Sequence, residues 1–198
     1  MDPFRSLTAI AAPLDLANVD TDQIMPARFM RRPRDARYVD YGFHDLRFTA
    51  DGAPRADFIL NRAPFDRAGI LVAGRNFGVG SSREAAVYAL LAMGIRCVVA
   101  SSFGDIFFSN ALKNGLLPVR LPEAVAAALR ASLAANPGST LSVDLERQIM
   151  TSPDGSTHQF AIPGFARDGL LRGLDEIGLT LTLEAEIVAY EARHDPRL

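Results

Sequence analysis

The sequence predicts an α/β chain in which a mostly parallel sheet is covered by helices and extended by a β-hairpin. Three observations carry this expectation. From residue 69 to about 136, short apolar runs alternate with helical patterns as β-α-β-α-β-α, the order that winds a parallel sheet under helical cover. The first 68 residues are loop-rich, and Pro13, Pro26, Pro33, Pro54 and Pro64 interrupt any long helix there. Beyond residue 139, two apolar stretches flank the turn Ser152-Pro153-Asp154-Gly155, which is a hairpin signal.

The elements follow in order. Ala9-Ile10-Ala11 and Phe58-Ile59-Leu60 are candidate strands in the loop-rich part. Residues 69–73 form a short apolar run stopped by Gly74, the pattern of a strand buried on both faces. Residues 81–93 read as a helix with Ala86, Leu90 and Met93 on one face, Val87 and Leu91 beside them, and Gly94 as its stop. A second buried strand at 95–100 carries Cys97. Residues 103–113 form the next helix, closed by Gly115, and 116–121 the third strand. Pro122 opens an Ala-rich helix that stops near Asn136-Pro137-Gly138. Residues 140–150 and 157–162 are the hairpin arms, and 183–192 a final helix. With 198 residues and no internal repeat, one domain spanning 1–198 is expected.

Composition narrows the function classes. The chain has 21 Lys+Arg against 23 Asp+Glu, a net charge of −2, which lacks the basic excess of a dedicated nucleic-acid binder. With 48% hydrophobic and 22% charged residues it has the composition of a folded globular chain. A single cysteine cannot form an internal disulfide, a four-thiolate zinc site or a complete iron–sulfur cluster, and it fits a reducing compartment. His44, His158 and His194 have no ligand spacing, so no metal is expected on this chain; Cys97, among Ile95, Val98 and Val99, reads as an inert small hydrophobe. No basic-then-apolar leader and no run of ~18 apolar residues is present, which points to a soluble, cytoplasmic protein without membrane partners.

Arginine is unevenly used. Of the 21 basic residues 20 are Arg, and Arg28, Arg31, Arg32, Arg34 and Arg37 fall within ten residues. One reading of the overall excess is codon usage; the other is that the local cluster forms a loop that reads carboxylates, because a guanidinium pairs bidentately with them.

The stretch from Gly74 to Glu84, GRNFGVGSSRE, lies between a strand and a helix and carries the most chemistry. One reading is structural: Gly78 and Gly80 permit unusual backbone angles, and Ser81 with Glu84 fits a capping box. The other is an anion site, with unpaired N–H groups and a helix start facing a carboxylate and Arg83 adding a full charge. Nucleotide motifs fail here. Arg83 stands where a dinucleotide fingerprint needs its third glycine, and the only lysine, Lys113, is far from any phosphate-loop position. Asp20 and Asp22 flank Thr21, either as turn formers bonding nearby N–H groups or as paired carboxylates near a site. Phe103, Phe107 and Phe108 have the spacing of core residues, and Asp105 and Asn110 suit local capping.

Three ordered motifs carry a resemblance: Asn18-Val19-Asp20-Thr21-Asp22-Gln23-Ile24-Met25-Pro26, then Asn76-Phe77-Gly78-Val79-Gly80-Ser81-Ser82-Arg83-Glu84, and Ser102-Phe103-Gly104-Asp105-Ile106-Phe107-Phe108-Ser109-Asn110 followed by Asn114-Gly115-Leu116-Leu117-Pro118-Val119. With Gly173-Leu174-Asp175-Glu176-Ile177-Gly178-Leu179-Thr180-Leu181 they resemble, nearly end to end, the small-subunit family of 3-isopropylmalate dehydratase. The resemblance implies the swivelling β/β/α domain of the aconitase superfamily. It implies a large-subunit partner that carries a [4Fe–4S] cluster, none being bound by this chain, and a small hydroxy-dicarboxylate substrate. The implied reaction interconverts 2- and 3-isopropylmalate through loss and return of water via 2-isopropylmaleate, in leucine biosynthesis. By the same pattern Ser81 takes a proton from carbon and Arg83 grips a carboxylate. Ser82 and the backbone at Gly78 and Gly80 support them, Asp20, Thr21 and Asp22 lie near the site, and loop 28–47, with Arg28, Arg31 and Arg32, recognises the variable side group.

Two positions depart from the family pattern: Ala85 stands in place of a His and Val79 in place of a frequent Cys. Alternatives therefore stay open: a related diacid of the citraconate or methylmalate type, or a non-catalytic anion-binding module. A physical constraint applies to the serine. Lowering a hydroxyl pKa by about five units requires roughly 7 kcal/mol. A helix N-terminus offers at most about 2 kcal/mol. Ser81 thus needs help from Arg83, from backbone N–H groups and from the partner, and the isolated chain is expected to be inert.

Overall fold

The strands are β1 (Ser6–Leu14), β2 (Ile70–Ala73), β3 (Cys97–Ala100), β4 (Leu117–Arg120), β5 (Thr140–Asp144), β6 (Ile149–Thr151) and β7 (Thr157–Gln159). They form one sheet in the order β4-β3-β2-β1-β5-β6-β7 in the computed structural model, which describes residues 1–194. The helices are α1 (Thr21–Ile24), α2 (His44–Arg47), α3 (Glu84–Ala92), α4 (Asp105–Lys113), α5 (Glu123–Ala135), α6 (Gly164–Arg172), α7 (Glu176–Leu181) and α8 (Glu184–His194).

β1 joins two kinds of sheet. Its C-terminal half runs parallel to β2, Ala11 opposite Ile70 and Leu14 opposite Ala73. Its N-terminal half pairs antiparallel with β5, Thr8 opposite Ser142. β2, β3 and β4 continue the parallel part, and β5, β6 and β7 form an antiparallel meander. β2 and β3 are buried at every residue, because both faces of the parallel part are covered. On one face Ala12, Leu14, Leu71, Ala73, Val98 and Ala100 pack against Ala86, Val87 and Leu90 of α3 and against Phe77 and Phe107. On the other, Ala11, Ile70, Val72, Cys97, Val99 and Val119 pack against Leu129 and Leu133 of α5 and Leu170 of α6. Parallel winding brings the C-terminal ends of β1, β2 and β3 to one edge, and the site grows from that edge.

The expected α/β layering is present, and the structure differs from the sequence reading at definite places. The segment at 58–60 is no strand: Ile59–Asn61 is a 3-10 turn, with Leu60 buried. Residues 140–150 are not one hairpin arm but β5 and β6, reversed where Gln148 takes a left-handed conformation with φ of 54°. The antiparallel half thus contributes as many pairings as the parallel half. α6 and α7 are additional; the GLDEIGLTL motif punctuates them, Gly173 ending α6 at φ 70° and the Asp175 carboxylate accepting from Gly178 N at 2.7 Å to cap α7. α3 begins at Glu84, three residues later than expected, with Arg83 as its N-cap and no side-chain cap bond, so the Ser81–Glu84 capping box does not form.

Candidate active site

Three loops leave the C-terminal ends of β1, β2 and β3 and lock together. In the first, Asp20 caps α1: its carboxylate accepts from Gln23 N at 2.7 Å and Gln23 Oε1 accepts from Asp20 N at 2.9 Å. The capping box of this chain is therefore here rather than at Ser81. Its effect is to present Thr21, which is buried, to the second loop. Thr21 Oγ1 donates to the Ser81 carbonyl at 2.8 Å, Thr21 N to the Val79 carbonyl at 2.9 Å, and Gly78 N to the Val19 carbonyl at 2.7 Å. The third loop holds the base of the second, with Asn76 N donating to Ser102 Oγ at 2.8 Å and Phe77 N to the Ser102 carbonyl at 3.0 Å.

The glycines answer to this crowding. Gly78 has φ of 73°, and a Cβ there would lie 2.2 Å from the Phe107 ring. Gly104 approaches so closely that its Cβ would stand 2.5 Å from the Gly78 carbonyl. Phe77, Phe103 and Phe107 pack edge-on and stacked beneath the loop, with ring centroids 5.4–6.4 Å apart, so two of the expected core aromatics, Phe103 and Phe107, form the floor of the site together with Phe77, while Phe108 is half-buried against Phe103. Asn18 and Asn76, which open two of the motifs but have no role assigned from the sequence, both adopt left-handed angles (φ 55° and 58°) and join side chains at 3.0 Å across two loops. The available signal was asparagine in a turn-rich stretch, since asparagine tolerates that region better than other side chains.

Arg83 is the principal charge. Its side chain is only 12% exposed and forms an ion pair with Asp22, whose carboxylate also accepts from Ala27 N at 3.3 Å. The hydrogen bond from Arg83 holds the Asp22 carboxyl below its ordinary range. Ser81 and Ser82 are exposed, and neither hydroxyl makes a hydrogen bond among the described residues. Ser81 is thus fixed through its backbone, with its hydroxyl left free, and it stands outside the first turn of α3.

Loop 28–47 folds as 3-10 turns, Ala27–Phe29 and Ala36–Tyr41, followed by α2. Arg28 pairs with Asp45, and Phe29 stacks on Tyr41 at 4.6 Å. Arg34, not singled out as a site residue, lies over the Tyr88 ring of α3 at 3.2 Å and ties the loop to the helix that follows the glycine loop. Arg47 donates to the carbonyls of Val39 at 2.6 Å and Gly42 at 3.2 Å, closing the loop from within. Arg31 and Arg32 are exposed, and no hydrogen bond joins them to the glycine loop among the described residues. The structure therefore brings Asp20, Thr21, Asp22, Gly78, Gly80, Ser81 and Arg83 together, and leaves Arg28, Arg31 and Arg32 on a neighbouring loop.

Among the described residues no group of three His, Cys, Asp or Glu side chains is placed to hold a metal. Cys97 is buried, and burial pushes its thiol far up. His44 bonds to the Asp40 carbonyl and His158 shares a hydrogen bond with Ser152 Oγ at 2.9 Å, both distant in sequence from the glycine loop. No helix among the described residues is long and apolar enough to cross a membrane.

Comparison with known proteins agrees across the chain. The Aconitase C-terminal domain model matches residues 1–124, and the LeuD_N model residues 127–164. The model for the C-terminal domain of the 3-isopropylmalate dehydratase small subunit matches residues 176–197. The 3-isopropylmalate dehydratase small subunit of Gluconacetobacter diazotrophicus is 49% identical over 98% of this chain and 94% of its own length. That of Rhodospirillum centenum is 50% identical over 98% and 95%, and that of Brevibacillus brevis 45% over 98% and 100%. The crystal structure of 3-isopropylmalate dehydratase from Methanocaldococcus jannaschii is similar in fold, with a TM-score of 0.64 and 24% identity, covering 94% of this chain and 99% of that one.

Proposed function

Because the chain belongs to the 3-isopropylmalate dehydratase small-subunit family, we propose that its glycine loop is one wall of a hydro-lyase active site completed by a large subunit. The chain is the small subunit of such an enzyme, serving leucine biosynthesis. The observation that carries the site assignment is the pairing of a nearly buried Arg83 with a carboxylate, Asp22, beside an unpartnered Ser81 hydroxyl.

Each residue has a role that its surroundings support. Arg83 is oriented to take a carboxylate, since its guanidinium already holds one, and a substrate carboxylate would exchange with or add to Asp22. Ser81, exposed and fixed by Thr21 through its carbonyl, is the base that takes a proton from carbon as water is lost to give 2-isopropylmaleate, and returns it on re-addition. Because α3 starts only at Glu84, its dipole acts on Ser81 at a distance and contributes less than the ~2 kcal/mol of a first-turn site. The charge of Arg83, the N–H groups of the glycine loop and the large subunit carry the remainder, supported by Ser82, Gly78 and Gly80. The whole chain, 1–198, acts as one swivelling domain in the cytoplasm, and loop 28–47 reads the side group of the diacid, with Arg28, Arg31 and Arg32 at its entrance.

A [4Fe–4S] cluster takes three or four thiolates. A single buried cysteine does not fit as its ligand set, and on this reading the cluster belongs to the large subunit. Val79 and Ala85, the departures from the family pattern, line the glycine loop and the first turn of α3, where they bear on the choice of diacid rather than on Ser81 or Arg83.

The test is reconstitution with the large subunit followed by Ser81→Ala. Turnover of 2-isopropylmalate is expected to fall by about 10²–10⁴-fold, the range for losing a general base, while the complex still assembles. Near wild-type turnover by that variant would leave an anion-binding module. Faster turnover of citraconate or methylmalate than of isopropylmalate would reassign the diacid.

A further inference from the structure

The side of the sheet opposite α3 holds a charged cluster that no step above uses. Arg130, in the second half of α5, has a side chain only 11% exposed and fully engaged. Nε donates to Asp15 Oδ1 at 2.9 Å, Nη1 to the Ala73 carbonyl at 2.9 Å, and Nη2 to Glu123 Oε1 at 3.1 Å. The other oxygen of Glu123 accepts from Ser101 Oγ. Asp15 follows the last residue of β1, Ala73 is the last residue of β2, and Ser101 follows the last residue of β3. One guanidinium and one carboxylate therefore fasten the three strand ends from which the three site loops depart.

In each case the fastened residue is next in sequence to the one that makes the first bond between loops. After Asp15, the Leu16 carbonyl accepts from Gly74 N at 3.1 Å. Gly74 itself follows Ala73, and a Cβ on it would meet that Leu16 carbonyl at 2.4 Å. After Ser101, Ser102 receives Asn76 N and Phe77 N. The chain of bonds runs on through Asn18 N to the Arg75 carbonyl at 2.9 Å and reaches Ser81 through Thr21. A largely buried guanidinium is costly to leave unpaired, so its partners are held in one arrangement.

We propose that Arg130, together with Glu123, is a positioning residue: it sets the relative placement of the three loops and thereby of the Ser81 hydroxyl. It touches no substrate and acts through Gly74, Ser102 and Thr21. The catalytic part of this inference rests on the site assignment proposed above; the placement of the loops does not.

The experiment substitutes Arg130→Met and Arg130→Lys in the full chain. Amide hydrogen exchange at Asn18, Gly74, Asn76 and Phe77 is expected to quicken at least tenfold in Arg130→Met, with core strand amides unchanged, and to recover partly in Arg130→Lys, which keeps one donor. In complexes with the large subunit, kcat is expected to fall at least tenfold with KM within about threefold of wild type, because Arg83 keeps its pair with Asp22. Unchanged exchange at those four amides overturns the proposal. Quickened exchange with an unchanged kcat also overturns it, leaving Arg130 a stability residue. If Arg130→Met does not fold, Ser101→Ala takes its place, with faster exchange expected at Asn76 and Phe77 and unchanged exchange there counting against the clamp. A wild-type complex inactive on every diacid would refute the site assignment alone, and the exchange measurements would still decide the clamp.

Discussion

Gly78 and Gly80 share left-handed backbone angles, φ 73° and 96°, yet a side chain at each meets different surroundings. At Gly80 the nearest atom to an added Cβ is Asp20 Cβ at 3.5 Å, ordinary contact, so Gly80→Ala bears only the backbone strain. That strain is about 1–3 kcal/mol. At Gly78 the Cβ would overlap the Phe107 ring at 2.2 Å and force the aromatic floor to move. Overpacking of this kind adds a further ~1–3 kcal/mol. Urea unfolding should therefore rank Gly78→Ala clearly below Gly80→Ala, which stays below wild type; equal stabilities for the two variants would contradict the close packing of the loop on Phe107. At this scale the sequence is readable for residue type and blind to partnership. Two glycines, a serine and an arginine mark a turn that the sequence alone leaves open between a structural role and an anion site. That Arg83 is held by Asp22, 61 positions away, requires the two loops to meet in space.

The same limit governs the elements. β2, β3 and β4 are legible as apolar runs because strands covered on both faces carry no polar alternation to confuse them. The start of α3 is misleading in sequence because Ser81 and Glu84 have capping-box spacing, whereas Thr21 draws the Ser81 carbonyl toward α1 and leaves Arg83 to begin the helix. The box that does form, Asp20 with Gln23, opens a helix of four residues, too short for a periodic signal. Loop 28–47 is visible only as an arginine cluster; its order comes from aromatic stacking and from Arg34 lying on Tyr88, contacts that sequence spacing does not display. A cation–π contact at an exposed site is worth about 0.5–1 kcal/mol, so Arg34→Ala should speed protease cleavage within the loop about two- to fivefold by freeing its opening. Global stability should change by no more than that amount. Cleavage rates that match wild type would mean that Arg34 does not hold the loop on α3.

At the scale of the whole molecule, three of the paired carboxylates, Asp22, Asp45 and Glu123, belong to the loops and helices around the site. Hydrogen bonds from Arg83 to Asp22, from Arg28 to Asp45, and from Ser101 and then Arg130 to Glu123 each hold a carboxyl below its ordinary range. A group whose pKa is depressed by folding stabilises the native state fully above its unfolded pKa, and that contribution is lost as pH falls through the folded value. The unfolded values lie at about 3.9 for Asp and 4.3 for Glu. The unfolding free energy should therefore keep the whole contribution of these groups near neutral pH and down to about pH 5, and lose it progressively below about pH 4. All three carboxylates are largely solvated, so salt weakens the effect and each contributes modestly. The arrangement also sets an order of events. The buried faces of β2 and β3 carry no ionised group and do not respond to acid, whereas Arg83 loses its partner when Asp22 is protonated and the loop bearing Ser81 loosens. Acid should thus lower hydrogen-exchange protection, taken against the intrinsic rate at each pH, in the glycine loop before it does so in the core strands. The measurement is the urea-unfolding free energy against pH for wild type and for the combined variant Asp22→Asn, Asp45→Asn, Glu123→Gln. The variant should be less stable near neutral pH and show a shallower fall below pH 4; an acid slope as steep as that of wild type would place the titrating groups elsewhere in the molecule.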